Sequence, residues 1–106
     1  MTAEDLAGVL RADAGVSLIA GVTGDGPDAT AAQRAVAAAM RMAVGLPQSV
    51  PDMSATRRAD TMVPLPAPVA AAARRLAAMP AAARHTWLVH HLAALRAGRI
   101  TLAQLP

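Results

Sequence analysis

The sequence contains no cysteine, lysine, phenylalanine or tyrosine, and Trp87 is its single tryptophan. The lack of cysteine excludes disulfides, thiol chemistry and cysteine-based zinc sites. No uninterrupted apolar window approaches the roughly 18 residues of a membrane span. Glu4 and Asp5 stand where a signal peptide carries basic residues. We therefore expect a cytoplasmic protein without a transmembrane segment.

Small apolar residues dominate the composition. The 106 residues include 29 alanines but only 22 leucines, isoleucines and valines together. Because alanine buries little apolar area, the core gains less free energy than a 55% hydrophobic content suggests. We expect one domain that is either a modestly stable monomer or, as the favoured alternative, shares its apolar faces with a partner.

Charge is distributed unevenly along the chain. Residues 1–52 hold three arginines against six acids, a net charge of −3, whereas residues 53–106 hold seven arginines against Asp60, a net charge of +6. This asymmetry indicates either an acidic partner for the second half or an acidic half that meets a basic half, within one chain or between chains.

The spacing of apolar residues predicts an all-α fold, a small bundle of three to four helices within a single domain. Residues 16–22 are either one short strand or a buried helical turn, because a short apolar run fits both. We divide the chain into an acidic part (1–45), a proline-rich connector (46–66) and a basic helical hairpin or kinked pair (67–106). Thr2 is expected to cap the first helix, Asp28 or Thr30 the second, and Ser54 a short helix if the connector is ordered. The last two helices are predicted at 68–78 and 80–97, with a kink or corner between them.

A glycine-rich segment, "GVTGDGPDAT", follows the short apolar run. Over about ten residues it resembles the fourth motif of haloacid-dehalogenase-like hydrolases and the hinge segment of P-type cation pumps. The resemblance implies magnesium binding by Asp25 and Asp28. Those families also use an Asp-x-Asp-x-Thr nucleophile, which this sequence lacks. Two carboxylates at a helix entrance also repel a phosphate, so we interpret the segment as a turn and helix cap.

The three histidines and the other polar residues form no recognisable catalytic or metal site. On one helix His85, His90 and His91 point about 100°, 240° and 340° around the axis, so they do not converge on one ion. No Ser-His-Asp constellation with motif context is present. We predict no catalytic residue, cofactor, metal or small-molecule ligand.

Trp87 and a set of arginines are the candidates for an interface. Trp87 lies off the leucine stripe of its helix, alongside Ala83, His90 and His91, so its face either packs in the core or contacts a partner. The complete set of interface candidates is Trp87, His91, Arg74, Arg75, Arg84 and Arg96. The leading hypothesis is a non-enzymatic protein–protein interaction or self-assembling domain. The alternatives are a nucleic-acid-binding accessory protein using the arginine-rich half and, last, magnesium-dependent phosphoryl chemistry at the glycine-rich segment.

Overall fold

The chain is all-α in the computed structural model, which describes residues 1–13, 16–19, 21–24, 26–44 and 62–102. The prediction of a small all-α domain is confirmed. Within those ranges lie five α-helices and one 3₁₀ turn: α1 (Ala3–Arg11), the 3₁₀ turn (Val16–Ile19), α2 (Ala31–Ala43), α3 (Ala67–Ala78), α4 (Ala81–His90) and α5 (Leu92–Arg96).

Local capping sequences begin the first two helices. Thr30 caps α2: its hydroxyl accepts the Gln33 N–H at 3.1 Å, and the Gln33 amide oxygen accepts the Thr30 N–H at 2.8 Å. At α1 the Asp5 carboxylate accepts the Thr2 N–H at 2.8 Å. These bonds satisfy donors that the first turn of a helix leaves unpaired, so both starts are encoded locally.

The described part of residues 16–22 contains no strand, and the alternative of a helical turn is confirmed for Val16–Ile19. Val16–Ile19 forms the 3₁₀ turn, which packs against α5, and Ile19 is fully buried. A strand needs a neighbouring strand for its backbone groups. In the described ranges the one β-type pairing is an isolated bridge between Thr2 and Pro64.

The single helix predicted at 80–97 is divided into two helices, α4 and α5. The described residues therefore contain five helices rather than the expected three or four. His91 separates α4 from α5, because its backbone (φ −111°, ψ 20°) leaves the helical region. After this bend α5 packs against α2 and the 3₁₀ turn. The bend therefore lets the basic half of the chain close over the acidic half.

Helix α2 is the centre of the core. Six consecutive residues, 35–40, are buried, so α2 has neighbours around most of its circumference. Alanine supplies most of these positions, and small side chains allow neighbouring helices to approach closely. The largest fully buried side chains are Leu6, Leu10, Ile19, Val36, Met40, Leu76, Leu88, Leu95 and Ile100.

Most of the proline-rich connector, together with the helix predicted from Ser54, lies outside the described residues. Its last part is described and pairs with the N-terminus of the chain, where the Leu65 N–H donates to the Met1 carbonyl at 2.8 Å. This contact places the start of the basic half beside the start of the acidic half.

Candidate functional site: an apolar groove along α4

An open groove runs along the outward face of α4. Its volume is about 370 Å³, and its walls come from Met79 at the corner between α3 and α4, from the α4 side chains, and from the bend after α4. The lining residues are Met79, Ala83, Thr86, Trp87, His90 and His91. Ala83, Thr86 and His90 are exposed, so the groove opens directly to solvent.

Trp87 forms the floor of the groove. It is only 5% exposed and belongs to the hydrophobic core, yet it also lines the groove. Its ring lies 4.7 Å from the His91 ring, centre to centre, at an angle of 38°. The single tryptophan therefore packs in the core, one of the two interpretations that the sequence leaves open, and its remaining surface lines the groove.

The corner between α3 and α4 has an extended backbone that shapes one end of the groove. Met79 (ψ 146°) and Pro80 (ψ 148°) are both extended, as expected for a residue that precedes proline and for the proline itself. The helices consequently do not continue into one another. The turn leaves Met79 half-buried at the edge of the groove.

A buried arginine stabilises this corner from the inner side. Arg84 is 7% exposed, and its guanidinium donates to the carbonyl oxygens of Leu76 and Met79 at 3.4 and 3.3 Å, both at the end of α3. A third bond, of 3.4 Å, reaches the carbonyl of Ala12 just after α1. Carbonyls at a helix end lack intrahelical donors, so Arg84 caps α3 and ties it to α1.

Asp13 from the acidic half completes the cluster around Arg84. It is 3% exposed, its Oδ2 lies 4.0 Å from Arg84 Nε, and its Oδ1 lies 3.2 Å from His85 Nδ1. This cluster is one place where the two oppositely charged halves meet within the chain. The sequence analysis missed it, because Asp13 and Arg84 are far apart in sequence and no spacing rule connects them.

The other arginine candidates divide into two groups. Arg96 is half-buried and donates from Nη2 to the Leu18 carbonyl at 2.8 Å, so it fastens α5 to the 3₁₀ turn. Arg74 and Arg75 are exposed on α3. Arg75 lies one helical turn before Met79, which places it toward the groove end of α3. Of the predicted interface residues, Trp87 and His91 line the groove. Arg74 and Arg75 are exposed on α3 without lining it, and Arg84 and Arg96 make hydrogen bonds within the fold.

The glycine-rich segment makes a close backbone contact. The Arg96 carbonyl accepts the N–H groups of Thr23 at 2.6 Å and Gly24 at 3.1 Å. A Cβ atom on Gly24 would lie 2.6 Å from the carbonyl carbon and oxygen of Ala97, so only glycine fits at this position. Gly24 thus serves the packing of this segment on the end of α5.

Asp25, one of the two carboxylates in the proposed magnesium site, lies outside the described residues. Asp28 is exposed. In the ranges that the structure describes, no three His, Asp or Glu side chains are grouped so that they can hold a metal ion. None of the helices in those ranges is long and apolar enough to cross a membrane.

Comparison with known proteins adds no functional information. No protein-family model matches the chain, and neither the curated proteins nor the solved structures contain a significant match.

Proposed function

We propose that this chain is a non-enzymatic protein-interaction domain and that the groove along α4 is its docking site. The single observation that carries the proposal is the groove itself, an open depression with Trp87 as its floor and alanine and methionine in its walls. Tryptophan is among the residue types most enriched at the energetic centres of protein interfaces. An apolar side chain from a partner would gain free energy by displacing water from these walls.

The exposed position of α4 supports this proposal. Ala83, Thr86 and His90 are exposed along one side of α4, so a partner can reach the groove without rearrangement of the domain. A helix that presents such a face in a small domain matches the helix-in-groove and helix-face modes of peptide recognition. Self-association through this face is the second form of the same proposal.

Site-specific photo-crosslinking tests the docking site. A photoreactive residue at position 83 should crosslink to a partner protein in an extract of the native host, and the same residue at position 8, exposed on α1, should not. The partner is then identified by mass spectrometry and its binding reconstituted from purified components. Failure to obtain a discrete crosslink at position 83 would contradict the proposal, and a crosslink to a second copy would establish self-association.

A matched pair of substitutions tests the groove in the reconstituted complex. Ala83→Gln places a long polar side chain in the groove, whereas Ala82→Gln makes the same change about 100° away around α4, at an exposed position that does not line it. We expect Ala83→Gln to weaken binding at least about tenfold, as for loss of a contact at the centre of an interface. Ala82→Gln should leave it unchanged.

The surplus of arginine supports nucleic-acid binding as a second candidate. Arg74, Arg75 and Arg99 are exposed on the basic half. Binding to an oligonucleotide should weaken steeply as salt rises if phosphates are contacted. Absence of binding at low salt would remove this candidate.

A further inference from the structure

His85 on α4 contacts a buried carboxylate with one edge of its ring and is exposed on the other. Its Nδ1 lies 3.2 Å from Oδ1 of Asp13, which is 3% exposed, whereas the His85 side chain is 49% exposed. Because Nδ1 faces the buried carboxylate, the exposed edge of the ring is the one that carries Nε2. His85 does not line the groove along α4, so the pair is a separate feature of this helix.

The carboxylate of Asp13 determines which nitrogen of the His85 ring carries the proton. A carboxylate only accepts hydrogen bonds, so Nδ1 donates its N–H to Oδ1. In the neutral ring the lone pair then lies on Nε2, at the exposed edge. An imidazole nitrogen with an accessible lone pair is a nucleophile. His85 therefore presents a nucleophilic nitrogen to solvent in a fixed tautomer.

We infer that His85 is a modification site whose Nε2 accepts a phosphoryl group from a phosphoramidate, a chemical class that includes phosphohistidine on another protein. In this step the Nε2 lone pair attacks phosphorus, a bond forms between Nε2 and phosphorus, and the phosphorus–nitrogen bond of the donor breaks. The donor nitrogen is protonated before the bond breaks and leaves as a neutral group, while Nδ1 of His85 keeps its proton. The inference does not depend on the docking function proposed above.

Asp13 is placed to stabilise the phosphorylated ring. Phosphorylation of Nε2 with the proton retained on Nδ1 gives the imidazole a positive charge, and a carboxylate beside Nδ1 stabilises that charge. The phosphoryl group would lie at the opposite edge of the ring. Repulsion between it and the carboxylate is reduced further because Arg84 Nε lies 4.0 Å from Asp13 Oδ2. The net charge of +3 on the chain also favours the approach of an anionic donor.

The other histidines and other modifications fit these features less well. His90 is exposed, but its ring makes no ion pair within the described ranges. His91 is half-buried, and its ring stacks on Trp87. An acyl group on an exposed imidazole nitrogen would hydrolyse quickly in water, because the N-acyl imidazolium is highly reactive. A phosphoryl group is therefore the modification that would persist at this site.

Treatment of the full folded chain with potassium phosphoramidate tests the inference. Mass spectrometry at neutral pH locates the label among the three histidines, and phosphorus NMR distinguishes phosphorylation at Nε2 from phosphorylation at Nδ1. We expect the label at Nε2 of His85, formed faster than any label at His90, the other exposed histidine of α4. His85→Asn should remove this label, and the matched control His90→Asn should leave it in place.

A second variant, Asp13→Asn, tests the contribution of the carboxylate. Phosphorylation of His85 should slow about tenfold, as for loss of the carboxylate partner of a metal-bound histidine, while the rate at His90 stays unchanged. Circular dichroism and Trp87 fluorescence establish whether the variant is folded. If it is not, the comparison of His85 with His90 in the parent chain still decides the inference.

Four outcomes would overturn the inference. Absence of a label at His85 would exclude it as a phosphoryl acceptor. Equal rates at His85 and His90 would reduce the contact with Asp13 to a structural link between α4 and the segment after α1. A label at Nδ1 of His85 would contradict the assigned tautomer. An unchanged rate in folded Asp13→Asn would show that the carboxylate does not determine the reactivity of His85.

Discussion

Replacement of Arg84 by methionine is the most direct test of how the α3–α4 corner is held. The change retains a long flexible side chain in a buried position but removes the guanidinium. That group donates to the carbonyls of Leu76, Met79 and Ala12 at 3.3 to 3.4 Å and lies 4.0 Å from Asp13. The substitution therefore removes the cap of α3 and leaves a buried carboxylate.

The expected loss of stability follows from these contacts. Each hydrogen bond contributes about 0.5–1.5 kcal/mol to the free energy of unfolding, and these long bonds belong at the lower end of that range. Removing one member of a buried ion pair costs about 3–5 kcal/mol, but His85 remains 3.2 Å from Asp13 and lessens this cost. The hydrogen bonds and the ion pair belong to the same guanidinium, so their costs are not simply added. We expect the free energy of unfolding to fall by about 3 kcal/mol in total. The melting temperature should then fall by more than about 10 °C.

Urea unfolding followed by Trp87 fluorescence and by circular dichroism measures the loss. The control is Arg99→Met, which makes the same change at an exposed arginine and should alter the free energy of unfolding by less than about 0.5 kcal/mol. If Arg84→Met is as stable as this control, the buried guanidinium contributes no net stability and the reasoning is refuted. In a double-mutant cycle, Asp13→Asn should cost less in the Arg84→Met background than in the parent chain.

Further predictions concern the glycines and the first helix cap. Gly24→Ala should destabilise the fold by about 1–3 kcal/mol because its Cβ would meet the backbone of Ala97. Gly8→Ala lies in an exposed turn of α1 with nothing within 4 Å of the new Cβ, and should stabilise the fold by about 0.5–1 kcal/mol. If urea denaturation shows that both substitutions change the free energy of unfolding in the same direction, this prediction is contradicted. Hydrogen bonds from Thr2 lower the pKa of Asp5 below its ordinary value of 3.8, so the native state favours the carboxylate. Its stabilising effect should be present above that value and disappear as the pH falls through the lowered pKa. The difference in stability between the parent and Asp5→Asn should shrink accordingly on acidification, and a difference independent of pH would refute the assignment.

Short-range sequence patterns predicted the helical class and several helix boundaries of this protein. Thr2 and Thr30 begin helices because their caps involve residues only three positions away. Gly98 ends α5 for an equally local reason: the Gly98 and Arg99 N–H groups return to the carbonyls of Leu95 and Ala94, both at 2.9 Å, around a glycine with φ of +73°. The face that contains Trp87, Ala83, His90 and His91 also followed from helical periodicity alone.

Contacts between distant segments decided the rest. Arg84 differs from the exposed Arg74 and Arg75 in its contacts. It reaches the end of α3 and also Asp13 and the carbonyl of Ala12, which lies 72 residues earlier in the chain. Gly24 must be glycine because the backbone of Ala97 packs against it. The sequence allowed a strand or a helical turn after α1, and the structure has a 3₁₀ turn there, packed against α5. Periodicity and capping act over one or two helical turns, so they determined which residues form helices and which faces are apolar. The arrangement of helices that are distant in sequence decided the rest: the face that is buried, the arginine that lies inside and the place where a groove remains open.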